Sequence, residues 1–197
     1  MRHPDADHNP NTPELMNKAV REEAHVQRLN YGDWDRFARL LKNYNGGTLL
    51  DVGCLNSLIC LEMKVKYPES EVYALDHADE VIAYYQARYP QVHYICANCY
   101  ELPFENKTFD YIVAGEILEH LDSPEKLIEE AYRVLKPGGW FALSTPFEEF
   151  SRSQGGKLHV NTFTFEETKE LLKDFREREQ QLYHVETLRM ILAWAKK

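Results

Sequence analysis

Long apolar runs are missing from this 197-residue chain. No stretch approaches the roughly 18 consecutive apolar residues that a membrane helix requires, so no membrane span is expected. The N-terminus has no apolar signal core, and a secretory leader is not expected either. Positive charge is scarce: 23 Lys and Arg stand against 32 Asp and Glu, for a net charge of −9. An acidic surface repels phosphate backbones, and no basic run offsets it, so nucleic acid is not an expected partner. Cysteine is sparse, limited to Cys54, Cys60, Cys96 and Cys99. Cys96 and Cys99 form a lone Cys-x-x-Cys, without the second pair or the spaced histidines that a zinc site would add. Reduced, half-buried thiols in a cytoplasmic protein are the expectation. Internal repeats and low-complexity segments are absent as well.

What is present suffices for a core. The chain is 44% hydrophobic, and its length suits one domain. Residues 1–12, with Pro4, Asn9-Pro10 and Asn11, read as a disordered tail, and 13–197 as a single domain. Thr12-Pro13-Glu14 reads as an N-cap, a first-turn proline and a first-turn acid, opening a helix over 13–29. A second helix is expected over 31–44, with Trp34, Phe37, Ala38, Leu40 and Leu41 on one face, ended by Asn45-Gly46-Gly47. From there the chain alternates. Strands are expected at 48–53, 71–75, 92–96, 109–114 and 140–144. Helices are expected at 57–67, 79–88 and from Ser123 to Leu135, and another is capped by Thr164 with Glu167 at the capping-box position. The apolar runs near 178–184 and 188–195 read as a hairpin.

This alternation predicts an α/β fold: a Rossmann-like, doubly wound sheet of about seven strands. It is mostly parallel, with an antiparallel C-terminal hairpin strand and helices on both faces. In such sheets ligands bind beyond the carboxyl ends of the strands. The run Leu49–Val52, broken by Asp51 and closed by Gly53, is the strand and turn that open such a site, and Gly53 allows close approach of a ligand to backbone. The other residues just past strand ends are Cys54, Leu55, Asn56 and Ser57, then Asp76 and His77, then Asn98, Cys99 and Tyr100. Glu116, Ile117, Leu118, Glu119 and His120 follow, and then Pro146. An acid at the end of the second strand, Asp76, can accept both hydroxyls of a ribose; it can equally cap the following helix. Asn98 can bond an adenine edge or make an ordinary turn.

Taken in order, these pieces resemble the class I S-adenosylmethionine-dependent methyltransferases, and most of all the group containing the ubiquinone-biosynthesis methyltransferases. The matching segments are Leu50-Asp51-Val52-Gly53-Cys54, Ala74-Leu75-Asp76, Glu101-Leu102-Pro103-Phe104 with Phe109-Asp110, and Glu116-Ile117-Leu118-Glu119-His120-Leu121. Arg133-Val134-Leu135-Lys136-Pro137-Gly138-Gly139, Ser144-Thr145-Pro146 and Phe163-Thr164 complete the set, which spans about residues 47–175. The resemblance implies S-adenosyl-L-methionine as cofactor. It puts Asp51 and Gly53 to Ser57 at the methionine end and Asp76 on the ribose hydroxyls. Asn98 stands where an aspartate usually faces the adenine amine. Cys99 and Tyr100 would flank the base, and Glu116 to Leu118 would lie near the reactive methyl. Leu55 and Ser57 depart from the pattern, because glycines are usual there. Either side chain strains the backbone where φ > 0 is required.

The implied activity is methyl transfer to a small-molecule acceptor through oxygen or nitrogen. His120 is the candidate base, its alternative being a residue that packs the loop after the fourth strand. A metal-free site is the expectation. The alternative is a divalent ion on Glu116, Glu119, His120 and His159, since the first three stand at i, i+3 and i+4 and share a face if the segment is helical. A metal-assisted RNA 3′-terminal methyltransferase and a non-catalytic cofactor-binding partner protein are the competing functions. The acceptor pocket is expected between the N-terminal helices (13–45) and loop 146–161, lined by Tyr31, Trp34, Phe147, Phe150 and His159. The glycine-bearing stretch 151–157 would serve as a lid. The lid is short, which leaves the pocket open or completed by a second subunit in a homodimer.

Overall fold

The computed structural model describes residues 31–55, 58–147, 159–185 and 188–197. The expected tail, the first helix, the lid stretch 151–157, Asn56, Ser57 and Phe150 lie outside the described residues, as does the side chain of Tyr31.

Seven strands form one sheet: β1 (Thr48–Val52), β2 (Glu71–Asp76), β3 (His93–Cys96), β4 (Phe109–Gly115), β5 (Leu135–Pro146), β6 (Glu177–Val185) and β7 (Leu188–Lys196). Their spatial order is β3-β2-β1-β4-β5-β7-β6. The pairs among β1 to β5 are parallel, and β7 joins β5 and β6 antiparallel. The expected hairpin therefore supplies two strands. Its return strand is inserted between β5 and the edge, and Met190 to Ala195 are fully buried in it. A strand covered on both faces reads as a continuous apolar run, which is why no alternation shows there.

The helices among the described residues are α1 (Tyr31–Leu40), α2 (Leu58–Lys66), α3 (Asp79–Arg88), α4 (Pro124–Val134) and α5 (Phe165–Leu171). Strand periodicity separates two apolar layers. Leu49, Tyr111 and Val113 point to the face covered by α1, α2 and α3, with Phe37, Leu40, Ile59, Met63 and Ile82. Leu50, Val52, Ile112 and Ala114 point to the opposite face with Leu127, Ile128 and Ala131 of α4 and with Leu172 and Phe175. Asp51 shares the parity of Leu49, so it faces α2. Thr164 and Glu167 form the predicted capping box: Glu167 N donates to Thr164 Oγ1 at 3.2 Å, and Thr164 N donates to the Glu167 carboxylate at 2.9 Å.

Two boundaries differ from expectation by more than two residues. The helix over 31–44 is α-helical only to Leu40. The carbonyl of Leu40 accepts from Tyr111 Oη and from Trp194 Nε1, the latter at 3.1 Å, so the sheet satisfies the helix end and stops it there. The fifth strand begins at Leu135 rather than 140. Leu135 pairs with Phe109 and the register then jumps to Tyr111–Trp140. Lys136-Pro137-Gly138-Gly139 is thus a bulge within a strand, entered through Gly138 at φ +81°.

Candidate functional site

From β1 the chain steps outward through α2 and α3 to β2 and β3, then returns to the other side of β1 as β4. That reversal opens a crevice between the carboxyl ends of β1 and β4, where ligands settle in such sheets. Parallel register brings the candidate residues to this one edge, with Val52 beside Leu75, Asp76 beside Cys96, and Gly115 beside Ser144.

The turn after β1 is tied to β2. Gly53 N and Cys54 N both donate to the Leu75 carbonyl, at 2.8 and 3.1 Å. Gly53 has φ +75°, and a Cβ on it would lie 2.7 Å from Ile117 Cδ1. The sequence reading gave that space to a ligand; the structure fills it with Ile117, reaching across the crevice from β4. Leu55 takes φ +30°, so a leucine does occupy a left-handed position that favours glycine. Its N–H donates to Asp76 Oδ2 at 3.1 Å, while Ala78 N donates to Asp76 Oδ1 at 3.0 Å. Each Asp76 oxygen keeps a second acceptor direction. Asp76 therefore caps its own turn and can still take two hydroxyls. His77 Nδ1 lies 3.8 Å from Asp76 Oδ1.

Asp51 is 4% exposed. Its hydrogen-bonding neighbour on the α2 face is the Cys60 thiol, with Sγ 3.7 Å from Oδ2. Burial raises the Asp51 carboxyl to about 7, and burial beside that carboxyl pushes the Cys60 thiol up. After β3, Asn98 is exposed, and its Oδ1 accepts from Tyr100 N at 2.9 Å, the ordinary turn that was its alternative reading. Tyr100 Oη accepts from Ser123 N at 3.1 Å, which ties this loop to the start of α4. Cys99 packs into the α4-side layer, and burial lifts its thiol to about 12. All four cysteines are free thiols, and Cys96 is exposed.

After β4, Glu116 stands at φ +54°. Its N–H donates to the Ser144 carbonyl at 3.0 Å, and its Oε1 accepts from Ser144 Oγ at 2.8 Å. Its Oε2 lies 3.7 Å from Arg36 Nη1 of α1. The left-handed residue breaks the helical phase, and only Leu118–His120 form a turn, of 3-10 type. The four-residue set proposed for a metal is therefore corrected. Ligand atoms of Glu119, His120 and His159 lie within 4.8 Å of one another, and Glu116 is not among them. Glu119 is 1% exposed and accepts from Thr145 Oγ1 at 3.1 Å. Burial, with the nearby Glu116 charge, holds its carboxyl well above the ordinary range. Burial and the neighbouring His120 lower His159 to about 4. His159 arrives because Val160 N and Asn161 N both donate to the Glu119 carbonyl, and Asn161 Nδ2 donates to the Leu121 carbonyl. The two rings meet edge to face with centroids 5.0 Å apart. Trp34 is 42% exposed on α1. Phe147 is half-buried, packing on Phe165 and against the α4-side layer.

Arg36 was not foreseen as part of this edge, and nothing in its sequence context marks it. Ser144 and Thr145 were legible only as matched segments, without a role.

A family model described as "Methyltransferase domain" matches residues 50–143. The chain is 32% identical over 137 residues to the biotin biosynthesis bifunctional protein BioHC of Teredinibacter turnerae, covering 60% of this chain and 24% of that protein. It is 28% identical over 166 residues to demethylmenaquinone methyltransferase of Symbiobacterium thermophilum, covering 73% and 66%. It thus spans less than two thirds of the length of either relative. A solved SAM-dependent methyltransferase from Aquifex aeolicus superposes with a TM-score of 0.70 at 22% identity, covering 94% of this chain and 98% of that one. Residues 50–143 thus match a methyltransferase domain, and the chain is similar to class I S-adenosylmethionine-dependent methyltransferases, whose methyl donor is S-adenosyl-L-methionine. Neither the RNA-terminal reading nor the non-catalytic one gains support from these relatives. Among the described residues no helix is long and apolar enough to cross a membrane.

Proposed function

We propose that this protein transfers the methyl group of S-adenosyl-L-methionine to an oxygen or nitrogen of a small-molecule acceptor. One observation carries the reading. The Gly53–Leu55 turn, Asp76, the Asn98–Tyr100 loop and Glu116–Ile117 converge on one sheet edge beside the β1/β4 reversal. In this reading Asp76 takes the ribose hydroxyls, and Asn98 to Tyr100 take the base. Asp51 and residues 53–57 take the methionine end. The sulfonium supplies the chemistry when bound, and the protein supplies orientation. His120, 28% exposed at its side chain beside buried Glu119, takes the proton from the acceptor. The small-molecule class follows the relatives named for demethylmenaquinone and for biotin biosynthesis. Calorimetric titration with S-adenosylhomocysteine tests the cofactor site. Saturable heat supports it, and no heat or thermal shift at millimolar ligand overturns it. Methyl-labelled cofactor incubated with a fractionated extract then tests the acceptor class: label in small metabolites supports the proposal, and label only in RNA or protein overturns it.

A second reading follows from the Glu119, His120 and His159 cluster. Two imidazoles and a carboxylate suit Zn²⁺, Mn²⁺ or Fe²⁺. A neutral His159 is ready to ligate, whereas Glu119 would have to lose its proton. An ion there would occupy His120 and remove it as a base. Thermal shift with added Zn²⁺ or Mn²⁺ separates the two: a rise abolished by His159→Ala favours the ion, and no rise leaves His120 as the base.

A further inference from the structure

The loop from Ala97 to Thr108 joins β3 to β4 and contains no helix or strand. It carries Asn98, Cys99 and Tyr100, which the proposed function places against the cofactor base. Few of its hydrogen bonds are internal. Glu101 N donates to the Asn98 carbonyl, Phe104 N to the Leu102 carbonyl, Tyr100 N to Asn98 Oδ1, and Thr108 Oγ1 to the Glu105 carbonyl. A loop with so little of its own framework takes its shape from what it rests on.

It rests on Arg133 and Glu130, one turn apart on α4. Arg133 Nε and Nη2 hold the Glu130 carboxylate at both oxygens, each at 2.7 Å. The remaining N–H groups reach into the loop. Nη1 donates to the Phe104 carbonyl at 2.7 Å and to Asn106 Oδ1 at 2.9 Å, and Nη2 donates to the Leu102 carbonyl at 2.9 Å. Glu130 Oε2 also accepts from Leu102 N at 2.7 Å. All five guanidinium donors are used, and Leu102 is held at both its N–H and its C=O. Leu102 lies two residues beyond Tyr100. At the other end of α4, Ser123 N donates to Tyr100 Oη. One helix thus fixes both sides of the base-binding turn. A planar fork of five donors can do this, whereas a lysine point charge cannot.

We propose that Arg133, oriented by Glu130, is a positioning residue for the cofactor-binding edge. It sets the path of residues 98–106, so that the turn at Asn98–Tyr100 is preformed before ligand arrives. This rests on the reading of that turn as the base-binding one. Arg133 touches neither cofactor nor acceptor; it acts through Leu102 and Phe104. A merely structural role would lower thermal stability and leave ligand affinity, measured well below the unfolding temperature, unchanged.

The test measures the dissociation constant of S-adenosylhomocysteine by calorimetry, with backbone hydrogen exchange over residues 98–106, for wild type, Arg133→Lys and Glu130→Gln. Arg133→Lys should weaken binding by about tenfold or more, as misplacing a binding group does, and should speed exchange in the loop but not in β1 or β4. Glu130→Gln keeps the arginine and loosens its aim, so a smaller weakening with the same exchange pattern is expected. It also serves if Arg133→Lys does not fold. Wild-type binding together with folded variants that bind within twofold of it overturns the inference alone. A wild-type protein that binds no S-adenosylhomocysteine overturns the cofactor reading, and this inference with it.

Discussion

Replacing Asp51 with asparagine should flatten the dependence of stability on pH. Asp51 sits at the end of β1, 4% exposed, with a thiol as its hydrogen-bonding neighbour on the α2 face and the Asp76 carboxylate as the charge that acts on it. A carboxyl so placed prefers to stay protonated. It titrates at 3.8 in its ordinary setting and at about 7 in the fold. Between those values the native state holds a proton that the unfolded chain has released, so stability falls as pH rises. The contribution is complete below the lower value and lost above the upper one. From about pH 5 to about pH 8 the loss is on the order of 2.5 kcal/mol. Asparagine carries no proton to lose, although it leaves a buried amide to satisfy, at a cost of about 1–3 kcal/mol at every pH. The measurement is urea denaturation of both proteins, without cofactor, at the two pH values. The variant's deficit at low pH should shrink or reverse at high pH, with the difference between the two comparisons near 2.5 kcal/mol. A difference below about 0.5 kcal/mol would refute the assignment of a raised carboxyl to this position. Saturating S-adenosylhomocysteine should remove the wild-type decline if, as proposed, its ammonium pairs with this carboxylate.

Leu55→Gly should stabilise the protein by roughly 0.5–1 kcal/mol, since it relieves a left-handed leucine at φ +30°. It should also leave S-adenosylhomocysteine binding intact or tighter; a large loss of affinity would make that side chain part of the pocket. Gly53→Val should unfold or strongly destabilise the protein, by about 2 kcal/mol or more, because its Cβ meets Ile117 Cδ1 at φ +75°. Ile117→Ala in the same chain should recover part of that stability on denaturation, and no recovery would show that backbone strain alone is responsible. His120→Ala should lower kcat by about 10²–10⁴ with the dissociation constant for S-adenosylhomocysteine nearly unchanged. Weakened cofactor binding with unchanged turnover would reassign it from base to packing residue.

The sheet was legible because its signals are local and repeated. Short apolar strands, turn residues and capped helices alternate from Thr48 onward, and the capping box at Thr164 and Glu167 formed as read. The edge residues were legible for the same reason, since strand ends are marked by a glycine, an acid or an asparagine. Contacts between segments far apart in sequence were not. Nothing local says that Ile117 fills the space beside Gly53, or that Leu40 ends α1 by accepting from Tyr111 and Trp194. The spacing of Glu116, Glu119 and His120 suggested one helical face, and it failed at one dihedral angle: Glu116 at φ +54° points its carboxylate to Ser144 and Arg36. Arg133 and Glu130 lay in plain sight at i, i+3, but the loop they hold is some thirty residues away.

Strain at this edge has a physical account. Leu55 and Glu116 are both non-glycine residues in left-handed conformation, at the ends of β1 and β4 on either side of the Gly53–Ile117 contact. Each costs on the order of 1 kcal/mol and persists only where its surroundings over-determine it. Here they do: Leu55 N is held by Asp76, and Glu116 is held at its N–H and its carboxylate by one residue, Ser144. The third such residue, Lys107 at φ +62°, is held in the same way by the Arg133 carbonyl, and it lies just before β4, at the opposite edge. Strain alone therefore does not mark the site. What distinguishes the carboxyl edge is that Asp76, which holds Leu55, and Glu116 itself stand where the cofactor is proposed to bind. Relaxing Leu55 or Glu116 would move those groups. The cost of the two conformations is thus tied directly to the placement of the site, whereas the cost at Lys107 is tied to the loop that Arg133 holds.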